Sequence, residues 1–250
     1  MKRLIPAVAA MLLAACMPML EGREDLVVFA ASSLTDAFGA LAEAYEAQNP
    51  GVRVVPNYAG SSQLAVQLIN NSPADVFASA NPAQMQYVAE AGLLAGDPVV
   101  FATNRLVVLV PADNPAGIET FADLAEPGVL VVLAVPGVPI REYTDQAAAQ
   151  LGTDFTAGLR ANIVSEEDNV RQVAARIALG EADAGVVYAT DVTPDISDSV
   201  RAIPITADIT ALYPIAALQG ASPRAEDFIA FVLSDAGQVI LADFSFSPPP

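Results

Sequence analysis

Apolar and polar positions follow two alternating periods along this chain. Leu26 to Ala31 is a compact apolar run that predicts a buried strand. Residues 34–45 then place Leu34, Ala37, Phe38, Leu41, Ala42 and Tyr45 at helical spacing. Val52 to Tyr58 predicts a second strand, Leu64 to Ile69 a helix after Ser61 and Ser62, Val76 to Ala80 a third strand, and Pro82 to about Leu93 another helix. The pattern restarts with a strand at Arg105 to Pro111 and a short helix around Phe121 to Leu124. The β-branched and leucine run Val129 to Val135 reads as a buried strand. Helices follow near 140–151, 154–161 and 168–179, then a strand at Ala184 to Tyr188 and a last helix from Ala225 to about Leu241. Ser33 with Asp36, and Ser165 with Asp168, fit capping boxes. Repeated βα units with buried strands predict an α/β fold, its mostly parallel sheets covered by helices on both faces.

The first residues break that pattern. Lys2 and Arg3 precede an apolar run over 4–15, too short to span a bilayer but suited to a signal-peptide core. The run ends in Leu13-Ala14-Ala15-Cys16, which resembles the lipobox of bacterial lipoproteins. On that reading residues 1–15 are a signal peptide, Cys16 is lipidated, and 16–24 form a tether. An ordinary secretory signal with an incidental cysteine is the other reading. No later stretch reaches membrane-spanning length without charges, so the expected membrane attachment is the lipid alone.

Cys16 is the only cysteine and there is no histidine. Disulfides, thiolate clusters, a Ser-His-Asp triad and histidine-ligated metals are therefore excluded. A hydrolase built on Ser33 or Ser61 lacks a base, because Lys2 is the only lysine and leaves with the signal. A non-catalytic protein without a cofactor is expected. Loss of residues 1–15 leaves nine basic residues against 29 acidic ones, a balance of about −20, which disfavours nucleic acid as a partner.

Three strand-to-helix turns carry small or hydroxyl residues: Ala30-Ala31-Ser32-Ser33, Tyr58-Ala59-Gly60-Ser61-Ser62 and Val138-Pro139-Ile140. Helix N-termini present unpaired N–H groups and the positive end of a dipole, so they bind anions without cationic side chains. A serine before a helix also serves as a plain cap.

The blocks Phe29-Ala30-Ala31-Ser32-Ser33-Leu34-Thr35-Asp36-Ala37-Phe38, Gly60-Ser61-Ser62-Gln63-Leu64 and Ser72-Pro73-Ala74-Asp75-Val76 resemble periplasmic molybdate-binding proteins, the solute receptors of molybdate ABC transporters. So do Glu167-Asp168-Asn169-Val170-Arg171-Gln172 and Gly180 to Asp191; the likeness covers nearly all of 25–245 in order. The resemblance implies a two-lobed type II periplasmic-binding-protein fold, with lobe one at 25–104 plus 212–250 and lobe two at 105–211. It places the oxyanion in the interlobe cleft, on the hydroxyls of Ser33 and Ser61, the backbone amides of Ile140 and Val170, and the phenol of Tyr188. It further implies an exported, monomeric receptor that hands its ligand to an ABC permease, at the periplasm or the outer face of the cell membrane.

Every donor in that set is neutral. Such a set suits a fully deprotonated tetrahedral dianion, whereas hydrogen phosphate would need an acceptor. Molybdate, tungstate and sulfate fit, and size separates sulfate from the other two; the metal arrives as an oxyanion rather than as a ligated cation. Ser32 and Ser62 are helpers or caps. Arg141 stands where many relatives have glycine, and either reaches the anion or pairs with Glu142 or solvent. Glu166, Glu167 and Asp168 beside Val170 are equally open. The alternatives in function are a receptor for another oxyanion such as sulfate, and a sensory lipoprotein of the same fold without transport.

Overall fold

A computed structural model describes residues 22–250. The predicted signal peptide and Cys16 lie outside the described residues. The chain first builds β1 (Glu24–Ala31), α1 (Thr35–Gln48), β2 (Val52–Ala59), α2 (Ser61–Ile69), β3 (Val76–Ala78), α3 (Pro82–Glu90) and β4 (Val99–Asn104). It then crosses to β5 (Leu106–Pro111), β6 (Val131–Ala134), α4 (Pro139–Leu151), α5 (Thr153–Ala161), β7 (Ile163–Glu167), α6 (Val170–Ala178), β8 (Ala184–Tyr188) and β9 (Val200–Pro204). It returns through β10 (Ala211–Ala217), α7 (Arg224–Leu233) and α8 (Asp235–Asp243).

Two five-stranded sheets result, ordered β2-β1-β3-β10-β4 and β7-β6-β8-β5-β9, one in each lobe. β1 runs parallel to β2 and β3, in a register that sets Ala31 beside Ala59 and Ala30 beside Ala78. β10 lies antiparallel to β3 and β4. In the second sheet β6 is parallel to β7 and β8, while β5 is antiparallel to β8 and β9. The sheets are therefore mixed rather than mostly parallel. The antiparallel pairings involve β5 and β10, the strands that follow the two interlobe crossings and so enter without a covering βα helix.

Several elements differ from the sequence-based expectation. β4, β7, β9 and β10 are not among the predicted strands: β7 alternates half-buried and exposed positions and ends in glutamates, and β10 contains Pro214. That proline is tolerated because the β10–β4 register shifts between Tyr213 and Pro214. The long C-terminal helix divides at Ser234, whose side chain accepts a hydrogen bond from the Gly237 N–H and caps α8. The segment near Phe121 is 3-10 helix over Phe121–Ala125. Neither predicted capping box forms. Ser33 lies in a 3-10 turn ahead of α1, and Ser165 lies in β7 bonded to Glu167, while Asn169 caps α6 by accepting from Gln172 N–H.

Helices α1, α7 and α8 cover one face of the first sheet, with Phe38, Phe101, Phe228 and Tyr45 meeting edge to face. Leu64, Leu68, Met85 and Val88 of α2 and α3 cover the other. In the second lobe α6 packs tightly on β8, because a Cβ at Gly185 would come within 2.7 Å of Val173 Cγ1. That close seating fixes where the N-terminus of α6 points. The carboxyl ends of β1, β2, β6 and β7 all lead to helix starts at the junction of the lobes, the usual ligand position in open α/β sheets.

Candidate functional site

One small cavity lies at that junction, leaving about 10 Å³ of room for the centre of a water-sized sphere. Pockets for drug-sized molecules run to roughly 300–1,000 Å³, so this one suits a small ion. Ser32, Ser33, Ser61, Ile140, Val170 and Tyr188 line it, and among the described residues no charged side chain does. The first three come from the starts of the first-lobe helices, Ile140 and Val170 from the first turns of α4 and α6, and Tyr188 from the end of β8. Amides in a first helical turn have no carbonyl of their own helix to bond, so Ile140 and Val170 offer N–H groups to the cavity. The convergence of helix N-termini makes it electropositive inside an acidic protein.

The hydroxyls have a definite sense. Ser61 Oγ accepts from the Ala80 N–H at 3.0 Å, which leaves its own proton for the cavity. Ser33 Oγ sits 3.1 Å from Tyr213 Oη. The Tyr188 hydroxyl is buried and has no hydrogen-bond partner among the described residues. Burial, then the neighbouring Tyr213 and Tyr143, push its pKa well above the ordinary tyrosine value, so it stays a neutral donor. Its ring is held edge-on between Tyr143 and Tyr213. An unpartnered phenol this deep carries a cost, which an acceptor in the cavity would remove.

The two lobes touch around the cavity. Asn81 Nδ2 donates to Glu142 Oε2 at 2.7 Å and Gln84 Nε2 to the Gly137 carbonyl at 3.0 Å. On the other side Arg171, next to Val170, reaches Asp36 at 2.7 Å and Asp191 at 2.9 Å. Asp191 is fully buried and its pKa is pushed up to about 6, burial outweighing the pull of Arg171 and the Tyr188 N–H. Gly60 passes so near the second lobe that a Cβ there would meet the Asp168 carbonyl oxygen at 2.6 Å.

The remaining candidates lie elsewhere. Ser62 is not among the cavity-lining residues. Arg141 is buried beneath the site, its guanidinium bonded to Glu166, the Ala134 carbonyl at 3.0 Å and Asp145 at 3.3 Å. Arg141 thus reaches neither the anion site nor Glu142, which faces Asn81. Glu167 pairs with Arg176 and Ser165. Sequence reasoning missed Tyr213, Asn104 and Thr190, which join behind Ser33; Asn104 Nδ2 donates to Thr190 Oγ1 at 2.8 Å and faces Tyr213 Oη at 3.4 Å. No local pattern marks them: Tyr213 sits in an apolar stretch broken by Pro214, Asn104 ends β4, and Thr190 lies in the turn after β8.

The bacterial extracellular solute-binding protein family matches residues 26–247. The molybdate-binding protein ModA of Mycobacterium tuberculosis is 42% identical over 233 residues, 92% of this chain and 87% of that protein. Among solved structures, the periplasmic molybdate-binding protein of Azotobacter vinelandii superposes with a TM-score of 0.77 at 20% identity, covering 90% of this chain and 100% of that one. The sulfate-binding protein SubI of Mycobacterium tuberculosis gives 0.80 at 20% identity, over 90% and 87% of the two chains. The two-lobed fold and the sequence match agree: the chain belongs to the bacterial extracellular solute-binding proteins.

Proposed function

We propose that this chain is the receptor of an ABC importer for molybdate, accepting tungstate as well, and that it binds the ion between its lobes without chemical conversion. The observation that carries the reading is the donor set. Two serine hydroxyls, two first-turn amides and one unpartnered phenol line a cavity that, among the described residues, has no charged side chain. A fully deprotonated tetrahedral dianion accepts at all four oxygens and satisfies such a set; a ligand that must donate does not. The 42% identity to a relative named for molybdate supports the choice among such dianions.

Ser33 and Ser61 are the first-lobe contacts, and Ile140, Val170 and Tyr188 the second-lobe contacts, so ligand rewards closure of the cleft. Hinge closure of this kind is the general behaviour of periplasmic binding proteins. Lobe boundaries at 104/105 and 211/212, export with a lipid on Cys16, action as a monomer, and delivery to a membrane permease belong to the same proposal. Calorimetric titration of the mature protein tests it. Molybdate and tungstate should bind, sulfate weakly and hydrogen phosphate not at all. Binding of sulfate or an organic anion with no response to molybdate or tungstate overturns it.

A further inference from the structure

We infer that Tyr213 and Asn104 are positioning residues that lock the Ser33 hydroxyl as a donor, and thereby make the cavity reject oxyanions that carry a proton. This rests on the oxyanion reading above and extends it to residues outside the cavity lining. The argument is one of hydrogen-bond direction. The Arg105 backbone N–H donates to Asn104 Oδ1 at 2.9 Å, which fixes the amide so that Nδ2 points inward. Nδ2 can only donate, and it faces both Thr190 Oγ1 and Tyr213 Oη. Tyr213 Oη therefore accepts, and its own proton goes to Ser33 Oγ, its 3.1 Å neighbour. Ser33 Oγ has then accepted, and its proton is free for the cavity.

All three side chains are buried, so no bulk water scrambles the order. Ser61 obeys the same logic through the Ala80 N–H, a group that cannot accept. A ligand O–H entering this site would meet inward-pointing protons from Ser33, Ser61 and the helix amides, with chiefly the lone pairs of the Tyr188 hydroxyl left to accept it. Such a clash strips the protonated ligand of a hydrogen bond it had in water. The relay begins at Asn104–Arg105, where the chain leaves the first sheet for the second, so the polarity of Ser33 is set from the crossover itself.

The probe pair is molybdate and hydrogen arsenate, measured by calorimetry at mildly alkaline pH. Both are tetrahedral dianions there and only the second carries a proton, so any general change in charge cancels in their ratio. Tyr213→Phe removes the proton that holds Ser33 and frees its hydroxyl to rotate. Molybdate affinity should fall by about tenfold, the scale of one hydrogen bond to a charged group, and the molybdate-to-arsenate ratio should fall with it. Asn104→Asp keeps the shape but replaces a donor by an acceptor. Tyr213 would then donate to Asp, Ser33 would donate to Tyr213, and a lone pair would face the cavity; this variant should lower the ratio further than Tyr213→Phe does. Circular dichroism and melting check that each variant folds, and Tyr213→Phe decides alone if Asn104→Asp does not. An unchanged ratio in folded Tyr213→Phe overturns the inference. Failure of the unaltered protein to bind molybdate or tungstate instead overturns the functional reading beneath it.

Discussion

Ser61 and Tyr188 hold the same kind of group against the same cavity, yet their ties to the rest of the protein differ. Ser61 Oγ satisfies the buried Ala80 N–H, whereas the Tyr188 hydroxyl satisfies nothing within the described residues. Ser61→Ala should therefore lower both molybdate affinity and ligand-free stability, each by about 1–3 kcal/mol. Tyr188→Phe should lower affinity by a similar amount but leave ligand-free stability unchanged or raised, since it removes a buried unpaired group. Titration and denaturant melts on the two variants separate the cases; equal stability losses would contradict this account. Asp191 gives a second residue-scale outcome. Its folded pKa, about 6, lies above the ordinary carboxylate value of 3.8, so the native state binds the proton more tightly than the unfolded state. Stability contributed by the protonated form is complete below about pH 4 and is lost as pH rises through about 6. Asp191→Asn should remove that slope, and the difference between it and the parent in urea melts should grow across the interval.

At the scale of elements, the site is a meeting of helix starts, and what could be read in sequence follows from that. Ser33, Ser61 and Ile140 sit where an apolar strand gives way to a helical period, a change visible in residue types alone, whereas Val170 follows a polar strand and is pointed to only by the family resemblance. The strands that carry no such change were not visible: β10 is interrupted by Pro214, and β7 ends in Glu166 and Glu167, which pair with arginines. Tyr213 and Asn104 owe their role to strand order, with β10 between β3 and β4, and no local pattern reports that. Arg141 was ambiguous for a related reason. Whether a cation on the first turn of α4 reaches forward to an anion or back to Glu166 depends on the adjacency of β6 and β7. The approach of two elements also yields a prediction. Gly60 has ordinary backbone angles, φ −58° and ψ 136°, so alanine fits the chain there and fails only against the Asp168 carbonyl. Gly60→Ala should weaken molybdate binding by about 1–3 kcal/mol, the usual cost of overpacking, while the melting temperature without ligand barely moves. Small-angle scattering should show this variant remaining open in saturating molybdate.

Across the whole molecule, charge and site pull in opposite directions. A chain with 29 acidic residues against 11 basic ones repels a dianion at long range, and only helix ends and amides attract it at short range. Association with molybdate should therefore speed up between about 10 and 100 mM salt, as the Debye length falls from roughly 30 to 10 Å. Stopped-flow traces that slow with added salt would show a local field stronger than the global one. The interlobe contacts have a further consequence. With Asn81 on Glu142, Gln84 on Gly137 and Arg171 on Asp36, contacts between the lobes flank the cavity, so separation of the lobes is the route by which a bound ion would be freed from both at once. Its residence time is then the waiting time of a hinge rather than the lifetime of any one hydrogen bond. A membrane partner that spreads the lobes would thus control when the cargo is released, without touching the cargo at all.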